Sequence, residues 1–260
     1  MEQIRLATMN ADVQPVPNHR PSQFSEPAPS VADVPVRKYH VMYLDQDDEL
    51  RETHRMARAL PAFEQAFNVV KEGALVSTEH GMVPIEDVIP GDRVRLEDGT
   101  LEPVQWRGSM VVHAGSDDAA RPALAMTRFA ADALGFNRPS PDLVLGQGAR
   151  IKHRAAGIRR VSGSDEAFIP ASDFVDDNDV LSLRPATSYK VYQLGLKGQR
   201  SLMVNGVAVE SLHPGTAFDL GLRGATLRAY LGLFPHKRSF EDFGLLEVPR
   251  LRLRDLDLLD

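Results

Sequence analysis

The stretch from Gly73 to Val94, GALVSTEHGMVPIEDVIPGDRV, constrains the fold more than any other part of the chain. Ala74, Leu75 and Val76 begin an extended segment, and Glu79-His80-Gly81 breaks it with polar residues that end in glycine. Val83 and Ile85 resume the apolar face, Pro90-Gly91-Asp92 turns the chain, and Arg93-Val94-Arg95-Leu96 alternates as a half-buried strand does. Proline presets φ and glycine reaches positive φ, so the second break is a turn for a physical reason. This is how a β-rich domain begins.

Short strands and frequent turns continue to about Gly215. Val94-Leu96 and Leu101-Trp106 flank Glu97-Asp98-Gly99-Thr100, a hairpin with Asp-Gly in its turn, and Ser109 to His113 extends the run. Ala123 to Met126 is expected as a short strand and Phe129 to Leu134 as a helical turn. Leu143-Val144-Leu145 with Asp142, Ala149 to His153, Phe168 to Ala171, Val180 to Leu183 and Tyr189 to Leu196 are further strands. Ser201 to Val204, Asn205-Gly206 and Val207 to Val209 make the strongest hairpin, because Asn-Gly suits a type I′ turn. Many short strands with little helix argue a mostly β architecture.

The flanks differ. Residues 1–37 hold Pro15, Pro17, Pro21, Pro27, Pro29 and Pro35 among polar residues, which predicts a disordered leader. Lys38 to Leu44 is expected as a short strand. Asp45 to Ala59 is expected as a helix, with Asp45 as its cap, acidic residues in its first turn and Arg51, Arg55 and Arg58 following. Pro61 ends that pattern or starts another helical turn through Phe67. From Thr216 to Asp260 a helical extension is expected, with Leu220 to Leu233 helix-compatible, a turn near Phe240 to Leu246, and a leucine-rich tail that packs or seeks a partner.

Composition narrows the function classes. A net charge of −6 over 260 residues argues against a nucleic-acid-binding surface. No apolar run approaches the roughly 18 residues of a membrane span, and the N-terminus lacks the basic-then-apolar pattern of a Sec signal peptide. The cytoplasm is the default compartment, with export by an uncleaved signal still open. The chain has no cysteine, which removes disulfides, thiolate metal sites and thiol nucleophiles together.

Four blocks in order carry a resemblance. Gly73-x-Leu75-Val76-x-Thr78 leads to Gly81-x-x-Pro84-Ile85-Glu86-Asp87-Val88, then Pro90-Gly91-Asp92-x-Val94, with Pro103-Val104-Gln105-Trp106-Arg107-Gly108 close behind. Asp142 to Leu145 with Ala149-Arg150-Ile151 forms a later block, and Val207 to Gly215 a closing one. Together they resemble the Hint (hedgehog/intein) domain of self-processing proteins, in its bacterial form, over about Val69 to Gly215. The resemblance implies a horseshoe of short strands and autoproteolysis or splicing as the family activity. It also implies a first-position Cys or Ser that attacks the preceding carbonyl, and a Thr-x-x-His block that distorts and protonates the scissile amide.

Carried onto this chain, the first position falls on Val69, the second-block His on Ala149 and the hydroxyl three residues earlier on Gly146. Shifting the register to Asn68, Val70, Lys71 or Glu72 finds no usual acyl acceptor, and no His-Asn pair closes the domain. The resemblance thus implies a Hint fold with no catalytic residue assigned. Its expected role is that of a structural or binding module, with self-cleavage near Asn68-Val69 by an atypical acyl shift as the alternative.

Other groups favour bland roles. His80 reads as an exposed loop histidine. His153 lies four strand residues from Ala149, about 13 Å at ~3.3 Å per residue, too far to replace it without a bulge. His213-Pro214 ends the last strand, and Ser77 and Thr78 point from strand backbone rather than sit at a cleavable junction. Asp173, Asp176, Asp177 and Asp179 could offer oxygens to Ca²⁺ but lack EF-hand spacing. Gly146-Gln147-Gly148 is too short for a phosphate loop. No cofactor and no metal is expected. A protein partner recruited by the leader and the Asp45 to Phe67 segment is compatible with the module reading.

Overall fold

A computed structural model describes residues 34–114 and 124–257. Most of the expected leader, residues 1–33, lies outside the described part, as does Ala123. In chain order the elements are β1 (Val36–Leu44), β2 (Leu50–Arg58), α1 (Pro61–Gln65), β3 (Val70–Lys71), β4 (Leu75–Thr78), β5 (Gly81–Pro84), β6 (Arg93–Arg95), β7 (Leu101–Pro103) and β8 (Trp106–Val112). There follow β9 (Met126–Phe129), β10 (Leu143–Leu145), β11 (Arg150–Arg154), α2 (Ala156–Ser162), β12 (Glu166–Pro170) and β13 (Val180–Leu183). β14 (Tyr189–Gly195), β15 (Ser201–Val204), β16 (Val207–Glu210), α3 (Gly224–Leu231) and α4 (Arg254–Asp257) complete the described residues, with 3₁₀ turns at Ala171–Phe174 and Phe240–Phe243.

The strands form two sheets. One runs β13-β9-β10-β3-β14-β8-β1-β2, and the other β12-β11-β16-β15-β4-β6-β7 with β5 paired to β4. Between them lies a core of Val70, Leu143, Leu145 and Leu194 from the first sheet and Val76, Val94, Ile151, Val204 and Val209 from the second. The first sheet is buried on its other face as well. There Tyr39, Val41, Met110 and Val191 meet Phe63, Phe67, Tyr230 and Phe234. β14 therefore alternates between two cores, Tyr192 and Leu194 facing one, Tyr189 and Val191 the other.

Trp106 joins these layers. It is fully buried, its indole Nε1 donates to the Leu233 carbonyl at 3.1 Å, and its ring lies 5.2 Å from those of Phe67 and Phe234. A Cβ at Gly108 would overlap the Trp106 and Phe67 rings, so the glycine two residues on makes room for the indole. The expected helical extension thus packs back on the first sheet through α3 and the segment after it.

The helix expected over Asp45 to Ala59 is instead strand β2, paired antiparallel to β1 from Val36↔Arg58 to Leu44↔Leu50. Asp45 does bond to nearby backbone, but its Oδ1 accepts from Asp47 and Glu49 N–H (2.9 and 3.0 Å), which closes a tight turn with Asp48 at φ 57°. Aspartate satisfies a hairpin turn as well as a helix cap. Pairing with β1 then decides the outcome, and in this stretch helix is confined to Pro61–Gln65.

The Asn-Gly hairpin forms as expected, with Asn205 at φ 46° and Gly206 at φ 80°. The Asn205 side chain does more than turn the chain. Its Oδ1 accepts from Leu75 N–H at 2.6 Å and its Nδ2 donates to the Pro141 and Asp142 carbonyls, both at 3.0 Å. The tail packs too: Phe168 N–H donates to the Pro249 carbonyl and Leu251 N–H to the Phe168 carbonyl, while Leu256 covers Ile158 and Ile169. Among the described residues no helix is long and apolar enough to cross a membrane.

Candidate functional site

The short helix α1 delivers the chain to the centre of the molecule. Phe67 and Asn68 N–H both donate to the Glu64 carbonyl, at 3.0 and 2.8 Å, and Val69 N–H donates to Phe67. Opposite lies the turn between β10 and β11, fixed because β10 pairs with β3 at Leu145↔Val70. Gly146 N–H donates to the Val69 carbonyl at 2.8 Å, and Gly148 N–H to the Asn68 carbonyl at 2.9 Å. The two stretches that sequence singles out, Asn68-Val69 and Gly146 to Ala149, are therefore in direct contact.

Close approach requires both glycines. A Cβ at Gly146 would overlap the Asn68 side chain and carbonyl, and one at Gly148 the Gln65 carbonyl. Val69 and Ala149 are buried in the intersheet core. Asn68 is buried as well, and its Oδ1 and Nδ2 have no hydrogen-bond partner among the described residues. Leaving such an amide unsatisfied costs about 1–3 kcal/mol per group.

Beside this junction opens a cleft of about 150 Å³, lined by Gln65, Gly148, Arg150, Gln193, Glu210 and Ser211 among others. Glu210 is 3% exposed. It takes a hydrogen bond from Gln199 at 2.5 Å and a two-oxygen contact from Arg250 Nε at 3.0 and 3.1 Å. Arg150 Nη1 stands 3.9 Å from Oε2 of the same carboxylate. Burial, and then the neighbouring Arg250 charge, lower the Arg150 pKa.

His213 borders the cleft without offering it a group. Gly215 N–H donates to its Nδ1 at 3.1 Å and its Nε2 lies 3.2 Å from the Gly244 carbonyl, which fixes the neutral Nε2–H tautomer. Burial also lowers its pKa. Its place just after β16 is where sequence puts it.

The remaining candidates are scattered. Ser77 Oγ donates to Met82 sulfur and Thr78 Oγ1 to the Gly81 carbonyl, both within the β4–β5 hairpin. His80 is exposed beside Glu79. His153 packs edge-on against Phe174 at 5.4 Å. Val70 is core, and Glu72 ties to Lys190 through backbone and side chain. In the acidic loop Asp173 is held by Arg252, and Asp176 Oδ1 accepts three backbone N–H groups at 2.9–3.0 Å. Gly146-Gln147-Gly148 leads into a strand, not a helix.

One constellation escaped the sequence. His40 Nε2 lies 2.6 Å from Glu52 Oε1, its Nδ1 lies 3.4 Å from Ser109 Oγ, and its ring stacks on His54 at 4.8 Å. The order of burial is opposite to that of an activated serine, since Ser109 is 1% exposed and Glu52 lies at the open end. The row follows from the register His40↔His54 and His40↔Ser109, and was hidden because β2 was expected as helix.

A family model described as Hint domain matches residues 70–216. Among solved structures, a splice-inactive variant of the AceL NrdHF class 3 split intein is 11% identical with a TM-score of 0.38, over 55% of this chain and 97% of that one. A bacterial intein-like domain from Clostridium thermocellum is 12% identical with a TM-score of 0.37, over 56% and 99%. A mutant of the Ssp DnaB mini-intein is 14% identical with a TM-score of 0.31, over 55% and 91%. No curated protein matches the chain.

Proposed function

The chain belongs to the Hint domain family, and we propose that it is a member without self-processing chemistry that serves as a structural or binding module. The observation that carries this reading is the junction itself. Where the resemblance assigns a nucleophile stands Val69, where it assigns an imidazole stands Ala149, and both side chains are packed in the core. Gly146 occupies the hydroxyl position and has no space for a Cβ. An acyl shift needs an attacker and a group that titrates near neutrality, and these positions supply neither.

The alternative, cleavage of the chain at Asn68-Val69 by an atypical acyl shift, draws on one feature. Gly148 N–H is aimed at the Asn68 carbonyl, as a donor to a developing oxyanion would be, and the Asn68 side-chain amide beside it has no partner among the described residues. The intact mass of freshly purified full-length protein, followed over a day with and without hydroxylamine or thiol, separates the two. A single stable species supports the module. Fragments that part at Asn68-Val69 overturn it in favour of self-processing.

A further inference from the structure

We propose that the cleft beside the Asn68-Val69 junction binds a carboxylate through Arg150. The inference rests on the binding-module reading and names the ligand class that this module takes.

The cleft holds a guanidinium whose one carboxylate contact, with Glu210 at 3.9 Å, is long and shared with a closer cation. Glu210 is already engaged by both oxygens with Arg250, and Arg250 in turn donates through Nη2 to the His213 carbonyl at 2.5 Å. Asp173, the next acidic group, is held by two bonds from Arg252. Asp219 on the cleft wall accepts from the Thr216 hydroxyl and N–H at 2.8 and 3.2 Å. That leaves Arg150, whose side chain makes no hydrogen bond among the described residues and reaches Glu210 only as an ion pair at 3.9 Å. Its side chain is 31% exposed, so its free donors remain reachable from the cleft.

A guanidinium that is part-buried and holds only one distant carboxylate keeps donors for an incoming anion, and bonds between two charged groups are the stronger ones. The planar fork of arginine matches a carboxylate in two parallel bonds. Gln193, Gln65 and Ser211 give the cleft polar walls. The volume is small, and Glu210 and Asp219 would repel a doubly charged group, so a singly charged carboxylate fits better than a phosphate. A free small acid and the C-terminus of a peptide present the same group.

Full-length ¹⁵N-labelled protein is titrated at low ionic strength with propionate, with tri-alanine and with tri-alanine amide. The reporter is the Arg150 Nε–H resonance, identified by its absence from Arg150→Met. We expect a saturable shift of that resonance with propionate or with tri-alanine, the stronger of the two naming the source, and none with the amide. Binding to Arg150→Met, followed on the Ser211 and Gln193 resonances, should be about tenfold weaker or more. Should that variant fail to fold, Arg150→Lys, which keeps the charge and loses the fork, is expected to weaken binding in the same direction. No saturable shift, or equal affinity in the folded variant, overturns the proposal. Intact mass on the same samples keeps the two readings apart. Self-cleavage would sink the non-processing reading whatever the titration gives, whereas an intact chain that binds no carboxylate sinks only this one.

Discussion

The Gly148 amide donates to the Asn68 carbonyl at 2.9 Å, so the turn between β10 and β11 is stitched to the chain leaving α1 with no side chain between them. Such backbone contact tolerates no added atom. Gly148→Ala would drive its methyl into the Gln65 carbonyl, and Gly146→Ala would do the same at Asn68. Each is expected to lose about 1–3 kcal/mol or more of stability, measured as a lower denaturant midpoint with unchanged slope. Wild-type stability in both variants would show that the turn can retreat from the junction.

A second stitch runs through Asn205. Its side chain makes three hydrogen bonds from a buried position, and its backbone is left-handed. Asn205→Gly keeps the turn geometry and loses the bonds, whereas Asn205→Ala loses both. Both should be destabilised, Asn205→Ala by about 1–2 kcal/mol more than Asn205→Gly. Equal losses in chemical denaturation would mean that φ contributes nothing there.

These two stitches also mark what sequence made legible. Asn205-Gly206, Pro90-Gly91-Asp92 and Asp98-Gly99 specify their turns locally, because φ preferences act within a residue or two. The strands they join therefore stand where periodicity puts them. β2 did not, since Asp45 bonds to backbone in a hairpin turn as readily as at a helix cap, and only the pairing with β1 decides. Helix α2 went unread for a similar reason: the residue at its N-cap, Ala155, makes no side-chain cap bond. At the site, Asn68-Val69 and Gly146 to Ala149 could be named but not their contact. The cleft stayed hidden because Arg150, Glu210 and Arg250 come from β11, β16 and the tail, far apart in the chain.

The buried Glu210 makes the tail a structural part of the domain. Arg250→Leu removes its closest cation and leaves a carboxylate at 3% exposure facing Arg150 at 3.9 Å. Breaking a buried pair from one side costs about 3–5 kcal/mol. Arg250→Leu should therefore fall well below wild type in thermal unfolding. Adding Glu210→Gln should recover part of that loss, since the double variant no longer buries the carboxylate that Arg250 neutralised. A second substitution that only adds to the damage would contradict this account of the pair.

His236 gives stability a pH dependence of definite sign. Burial, and then the nearby Lys237 charge, push its pKa down to about 3, against an unfolded value of about 6.5. Its Nδ1 is buried without a partner among the described residues, and its ring lies 6.4 Å from that of Trp106. Between these two pKa values the unfolded chain binds a proton that the native protein excludes, so stability rises with pH through the window. The contribution is fully present above pH ~6.5 and is lost as pH falls towards ~3. By pH ~5 the loss amounts to about 2 kcal/mol. His40, His153 and His213 are also held below their ordinary value by burial and act in the same direction. The difference between wild type and His236→Gln isolates the one residue. Denaturant unfolding at pH ~7.5 and ~5 should show wild type losing about 2 kcal/mol more than the variant, and equal losses would place the acid sensitivity elsewhere.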